Sequence, residues 1–279
     1  GKSRPRHSTV GLQLTWEEAV LWLRAQPDQR ELVRACFYDD PLLAAAERYW
    51  ASSEWSAIRA LLPSPPGNAL DLGAGRGIAS YALARDGWQT TALEPDPGLI
   101  VGAGAIRALA AESGLPIVVS QQWGEKLPFE SDRFDVVFGR AVMHHARDLR
   151  SFCNEAARVL EPGGTFVCVR EHVVSSREQL RRFLDAHPLH RHYQGENAYE
   201  LQQYRDAIEG SGLFLRHVLN PFASEINLFP DSRTALRERM AKSWRVPARL
   251  LPGWLLDILG ALHREPGRLY TFVAVKPHA

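Results

Sequence analysis

Three groups of residues in this chain have the types and spacing that chemistry needs. The first is Asp71-Leu72-Gly73-Ala74-Gly75-Arg76-Gly77. Its glycines permit a tight turn and a close backbone approach to a ligand, because no Cβ stands in the way. Its acid repels a pyrophosphate and suits a ligand that carries positive charge. The second group is Arg140-Ala141-Val142-Met143-His144-His145, and the third is Glu171-His172. A histidine with a near-neutral pKa can take the proton of a hydroxyl that is being alkylated. His145 and His172 are the candidates for that task, with Glu171 orienting a histidine or holding the substrate. A cap or packing role is the plainer alternative for His145. Adjacent residues diverge, so His144 is expected to point away.

The elements around these groups follow from the pattern. A short apolar strand at 69–72 breaks into the glycine turn, and a helix at 78–86 follows. The free N–H groups of that helix face the turn. A second strand, 90–93, ends in Glu94, about 20 residues beyond the first glycine, where an acid meets ribose hydroxyls. A dinucleotide fold wants Gly-x-Gly-x-x-Gly, and its third glycine would fall at Ile78. Further strands are predicted at 117–120, 134–138, 165–170, 213–219 and 269–275. Helices are predicted at 95–112, 149–160, 176–186, 201–211, 232–243 and 253–263. Ligands in an open sheet of this kind bind beyond the carboxyl ends of the strands, where all three groups stand.

From Asn68 to Glu171 the chain resembles the class I S-adenosylmethionine-dependent methyltransferases. The motifs that carry the resemblance are Asp-Leu-Gly-Ala-Gly-Arg-Gly, the acid Glu94, the run Leu127-Pro128-Phe129, the strand Phe134-Asp135-Val136-Val137 and the double histidine before a helix. The resemblance implies S-adenosyl-L-methionine as cofactor, a ligand with a sulfonium, an ammonium and a ribose but no phosphate. It implies that Asp71, Gly73, Ala74, Gly75, Glu94, Pro95, Trp123, Gly124 and Arg140 bind that cofactor. The family usually has an acid where Trp123 stands, and here the indole could cover the adenine by stacking. The implied fold is α/β, a Rossmann-like doubly wound sheet of seven strands. Its last strand runs antiparallel between the fifth and the sixth. The implied reaction is transfer of a methyl group to a small polar acceptor such as a sugar or a natural product, most simply to oxygen. Methylation of carbon or nitrogen, or cofactor binding without catalysis, are the alternatives.

His190, Tyr193, Glu196 and Asn197 are candidates for holding a polar substrate. His187, His190 and His192 could also join His172 and Glu196 in a nitrogen–oxygen metal site. Their spacing matches no closed zinc pattern, so no metal is expected. Before the sheet, residues 12–66 read as a helical lid, with a capping box at Thr15 and Glu18 and with Tyr38 or Tyr49 over the cofactor. Residues 67–172 are the cofactor core, and 173–279 are an acceptor-side half with insertions at 173–200 and 221–267. The whole is expected to form one methyltransferase domain. Residues 1–11 read as disordered.

Lys and Arg number 33 against 32 Asp and Glu, a net charge of +1, so no basic excess advertises nucleic acid. The strand 134–138 also lacks the Asn/Asp-Pro-Pro-aromatic turn of base-amino methylation. Three scattered cysteines suit a reducing, cytoplasmic setting rather than a disulfide framework. No early apolar run reads as a signal peptide. The apolar stretch 250–262 is too short to span a bilayer, and no stable membrane association is expected. It reads as core or as the face of a homodimer.

Overall fold

The computed structural model describes residues 14–122, 126–187, 190–193 and 195–278. The opening segment 1–11 and the expected adenine contacts Trp123 and Gly124 lie outside the described residues. The strands are β1 (Asn68–Leu72), β2 (Gln89–Leu93), β3 (Ile117–Ser120), β4 (Phe134–Arg140), β5 (Leu160–Val174), β6 (Tyr199–Glu200), β7 (Phe214–Leu219) and β8 (Arg268–Val275). They form one sheet in the order β3-β2-β1-β4-β5-β8-β7. Strands β1 to β5 pair in parallel, and β8 runs antiparallel between β5 and β7. The seven expected strands are therefore present in the expected arrangement. Two-residue β6 is an eighth, paired with the far end of β5. Helices on both faces explain why β1 is buried from Ala69 to Leu72, since a strand covered on both sides has no face open to solvent. One face packs under Leu149–Val159 and Leu201–Gly210, the other under Leu42–Trp50, Ser53–Arg59 and Ile78–Arg85.

Three local expectations are corrected. The helix expected over 95–112 begins only at Ala103. Carboxylates take the N–H groups that would have started it: Asp96 accepts from Gly98, and Glu17 from Ile100 and Val101. Strand β5 runs on to Val174, past a break in register at Arg170, whose φ is +59°. That bulge turns Arg170 and His172 toward the carboxyl-end cavity, as bulges commonly re-aim side chains. Finally, the 187–197 loop contains a short helix, His190–Tyr193.

The helices before the sheet are tied to it by named contacts. Thr15 and Glu18 form the expected capping box. Asp86 accepts hydrogen bonds from Trp50, Trp55 and Arg59. Arg76, in the glycine turn, donates to the carbonyls of Phe37 and Asp39 and to the Asp40 carboxylate. Tyr49 is wholly buried against Phe37 and Trp55, so it is core and does not reach a ligand. Tyr38 does line the cavity, beside Trp16.

Candidate active site

A cavity of about 600 Å³ opens at the carboxyl ends of β1, β2, β4 and β5. It falls within the size range of small-molecule sites. One end is made by the glycine turn and the other by histidines.

At the glycine end, Gly73 and Gly75 have φ of +62° and +56°. A Cβ on Gly73 would lie 2.4 Å from a methyl of Val142, so only glycine fits there. A Cβ on Gly75 would meet only Trp16, 4.0 Å away, which leaves its backbone facing open space. Glu94 is fixed by two backbone donors, Gly75 N–H at 2.8 Å and Asp96 N–H at 3.0 Å, one on each oxygen. Each carboxylate oxygen keeps a lone pair for a hydroxyl. Asp71 accepts the Ser80 hydroxyl at 2.6 Å. Burial pushes its pKa up to about 7; the Ser80 bond opposes that shift and the charge of Glu94 adds to it.

Cations are scarce here. The guanidinium of Arg76 is used on Ile100, Phe37, Asp39 and Asp40. Arg140 lines the cavity but is paired with buried Glu54 through two bonds of 2.7 and 3.1 Å. Arg170 stands 3.8 Å from the same carboxylate and donates to the carbonyls of Ile226 and Phe229. Glu54 and Arg170 carry no sequence signal: Glu54 sits among ordinary helix-surface charges, and only the packed sheet buries it. The donor set at this end is two carboxylates and backbone groups. That fits a cationic, ribose-bearing ligand without phosphate.

At the histidine end the sequence reading needs correction. Glu171 is fully buried and does not line the cavity. It accepts N–H bonds from Val142, Met143 and His144 and holds His144 Nδ1 at 2.6 Å. Of the two expected tasks it performs the orienting one. His144 does not point away. Residues Met143–His145 form a tight turn after Ala141, whose φ is +52°, so strand alternation does not apply there. Both His144 and His145 line the cavity. Burial lowers the His144 pKa, but the Glu171 charge outweighs that and raises it to about 9.

His145 holds the carbonyl of Gly195 through Nδ1 at 2.8 Å, and its pKa is lowered by burial and by His144. His172 holds the carbonyl of Gly267 through Nδ1 at 2.8 Å, and burial and His144 push its pKa down to about 3. A carbonyl only accepts, so Nδ1 carries the proton in both rings and Nε2 offers a lone pair. Glu196 stands between the rings. One oxygen accepts the Tyr193 hydroxyl at 2.6 Å, and the other lies 3.6 Å from His144 Nε2, 4.0 Å from His145 Nε2 and 3.9 Å from His187 Nε2. Burial would raise the Glu196 pKa, but the His144 bond and the charges of His145 and His187 hold it well below the carboxylate range.

Asp71, Gly73, Ala74, Gly75, Glu94, Pro95, Arg140, His145, His172 and Glu196 thus share one cavity. His190, Tyr193 and Asn197 are not among its lining residues. Tyr193 supports Glu196 from behind and stacks near Trp16, while His192 packs on Trp22.

A family profile described as a methyltransferase domain matches residues 70–168. The ubiquinone biosynthesis O-methyltransferase of Methylobacterium nodulans is 38% identical over 105 residues, covering 38% of this chain and 41% of that protein. The enzyme of that name from Azorhizobium caulinodans is 34% identical over 109 residues, covering 39% and 42%. The chain thus spans about two fifths of the length of these curated relatives. Among solved structures, a geranyl diphosphate C-methyltransferase from Streptomyces coelicolor superimposes with a TM-score of 0.58 at 13% identity, over 86% of this chain and 84% of that one. The cyclase SpnF does so with a TM-score of 0.58 at 18% identity, over the same shares. These last two likenesses concern the fold alone.

Over residues 70–168 the chain is similar to the S-adenosylmethionine-dependent methyltransferase class. The cofactor of that class is S-adenosylmethionine, and the carboxylate-rich, phosphate-averse glycine end suits it. Among the described residues no helix is long and apolar enough to cross a membrane.

Proposed function

We propose that this chain transfers a methyl group from S-adenosylmethionine to a hydroxyl oxygen of a small polar molecule. One observation carries the reading. A single cavity joins the Asp71–Glu94 end to two histidines whose free Nε2 lone pairs are fixed by carbonyls. When bound, the cofactor supplies a methyl carbon already activated by its sulfonium. The chain then has to align the acceptor with that carbon, keep water out and receive one proton.

Glu94 receives the ribose hydroxyls, and Asp71, with Gly73 to Gly75, faces the cationic methionine portion. Trp16 and Tyr38 close the cavity from the lid side. His145 or His172 takes the acceptor proton on Nε2. At His145 the nearby Glu196 carboxylate would steady an imidazolium. His172 is the deeper of the two and stays neutral. The O-methyltransferase names of the relatives support oxygen as the acceptor atom. The near-zero net charge supports a small molecule over nucleic acid.

The test is transfer of labelled methyl from S-adenosylmethionine to a panel of phenols, sugars and hydroxy acids, with amines and activated carbons as controls. Labelled ethers are expected, together with a cofactor affinity that no NAD competition reduces. Label appearing only on amines or carbon, or on nothing despite tight cofactor binding, overturns the reading.

A further inference from the structure

The histidine end holds more ligand-type groups than proton transfer requires, and their arrangement is specific. One ring nitrogen each of His144 and His145 and a Glu196 oxygen lie within 4.8 Å of one another, and both Nε2 atoms stand within 4.0 Å of that oxygen. Each is braced from behind. Glu171 holds His144 Nδ1 at 2.6 Å, the Gly195 carbonyl holds His145 Nδ1 at 2.8 Å, and the Tyr193 hydroxyl holds the other Glu196 oxygen at 2.6 Å. Such outer contacts fix the tautomer that leaves Nε2 free, and they are the usual support of metal-bound histidines. Among the described ion pairs neither buried Glu171 nor half-buried Glu196 meets a lysine or arginine, and both face only imidazoles.

We propose that His144, His145 and Glu196 bind one divalent transition-metal ion of the zinc class. The donor set is two imidazoles and one carboxylate, which selects such an ion over magnesium or calcium. Ligand atoms around a tetrahedral ion with bonds of ~2.0–2.1 Å stand about 3.3 Å apart. The Glu196 oxygen is 3.6 and 4.0 Å from the two ring nitrogens, so small side-chain movements close the shell. The remaining coordination positions face the cavity, where a donor atom of the acceptor can reach them.

A second triad, His172, His187 and Glu196, shares the same carboxylate. It is the weaker candidate. His187 Nδ1 accepts the backbone N–H of His190, which leaves the proton on its Nε2. With His145 on the metal, the acceptor proton falls to His172. That last allocation rests on the proposed transfer reaction, whereas the metal site stands without it.

The test is cobalt(II) titration of the metal-free full chain, read by visible d–d absorption and by equilibrium dialysis, with zinc as competitor. One equivalent of tightly held cobalt, displaced by zinc, is expected. His145→Ala and Glu196→Gln should each weaken binding by ~100-fold or more, and Glu171→Gln by ~10–100-fold. His192→Ala should leave it unchanged. Retained binding of labelled S-adenosylmethionine and an unchanged circular dichroism spectrum identify variants that still fold. Wild-type protein that takes up no stoichiometric cobalt overturns the proposal, and so does cobalt binding that survives both His145→Ala and Glu196→Gln. Failure of methyl transfer with an intact cobalt spectrum would count against the transfer reading alone.

Discussion

The two ends of the cavity are built differently. The glycine end comes from one continuous stretch, Asp71 to Gly77, completed by the end of the neighbouring strand at Glu94. Its conformation follows from residue types: glycine where φ is positive, and an acid at a strand end. The histidine end is assembled from four separate segments, ending at His145, His172, His187 and Glu196. There the rings of His144, His145 and His172 are oriented by partners distant in sequence, 27 residues for Glu171 on His144, 50 for Gly195 on His145 and 95 for Gly267 on His172. A local motif builds the glycine loop, whereas the histidine cluster has to be assembled by the fold.

Breaking the histidine end should have the largest effect. His172→Ala is expected to lower turnover by ~10²–10⁴-fold, the usual contribution of a positioned acid–base group. Cofactor affinity by calorimetry should stay the same, and a matching loss of affinity would erase the distinction between the two ends. Next comes the joint between the N-terminal helices and the sheet. Glu54→Gln strands the buried charges of Arg140 and Arg170, and removing one partner of a buried pair costs ~3–5 kcal/mol. Urea unfolding should show the loss, and an unchanged midpoint would mean that Glu54 does not hold the two arginines.

At the glycine end, Glu94→Ala should weaken cofactor binding by ~1–3 kcal/mol, the range for a hydrogen bond to a charged group. Turnover at saturating cofactor should change far less.

The smallest effect concerns pH. Asp71 has its pKa raised from 3.8 to about 7 in the folded chain. A raised value means that its stabilising contribution is full below 3.8 and is lost as pH rises through 7. A cationic ligand needs the carboxylate, so its affinity should rise with pH and level off above about 7, by up to about tenfold per unit below that. Asp71→Asn should flatten the profile in a binding titration. A slope that persists in that variant would assign it to another group.

Much of this was legible in the chain. The parallel strands β1 to β5 and the glycine turn follow from alternation and glycine placement, and the antiparallel β8 from the resemblance to the methyltransferases. The helix expected over 95–112 started late because Glu17, about 80 residues earlier in the chain, takes the N–H groups of Ile100 and Val101. His144 was misplaced because a tight turn, not a strand, carries it. The spacing of polar residues in the 187–197 loop makes Tyr193 a candidate substrate contact, yet its hydroxyl is used on Glu196.

The sequence by itself determined the parts whose conformation depends on near neighbours: buried strands, the Asp71–Gly77 turn and the Thr15 cap. The tertiary structure alone decided which charges meet. Glu54 reaches Arg140, and Glu196 settles among the histidines, because hydrogen bonds and ion pairs act over a few ångströms of space. Residue spacing along the chain does not encode that distance once the chain has crossed the sheet and returned.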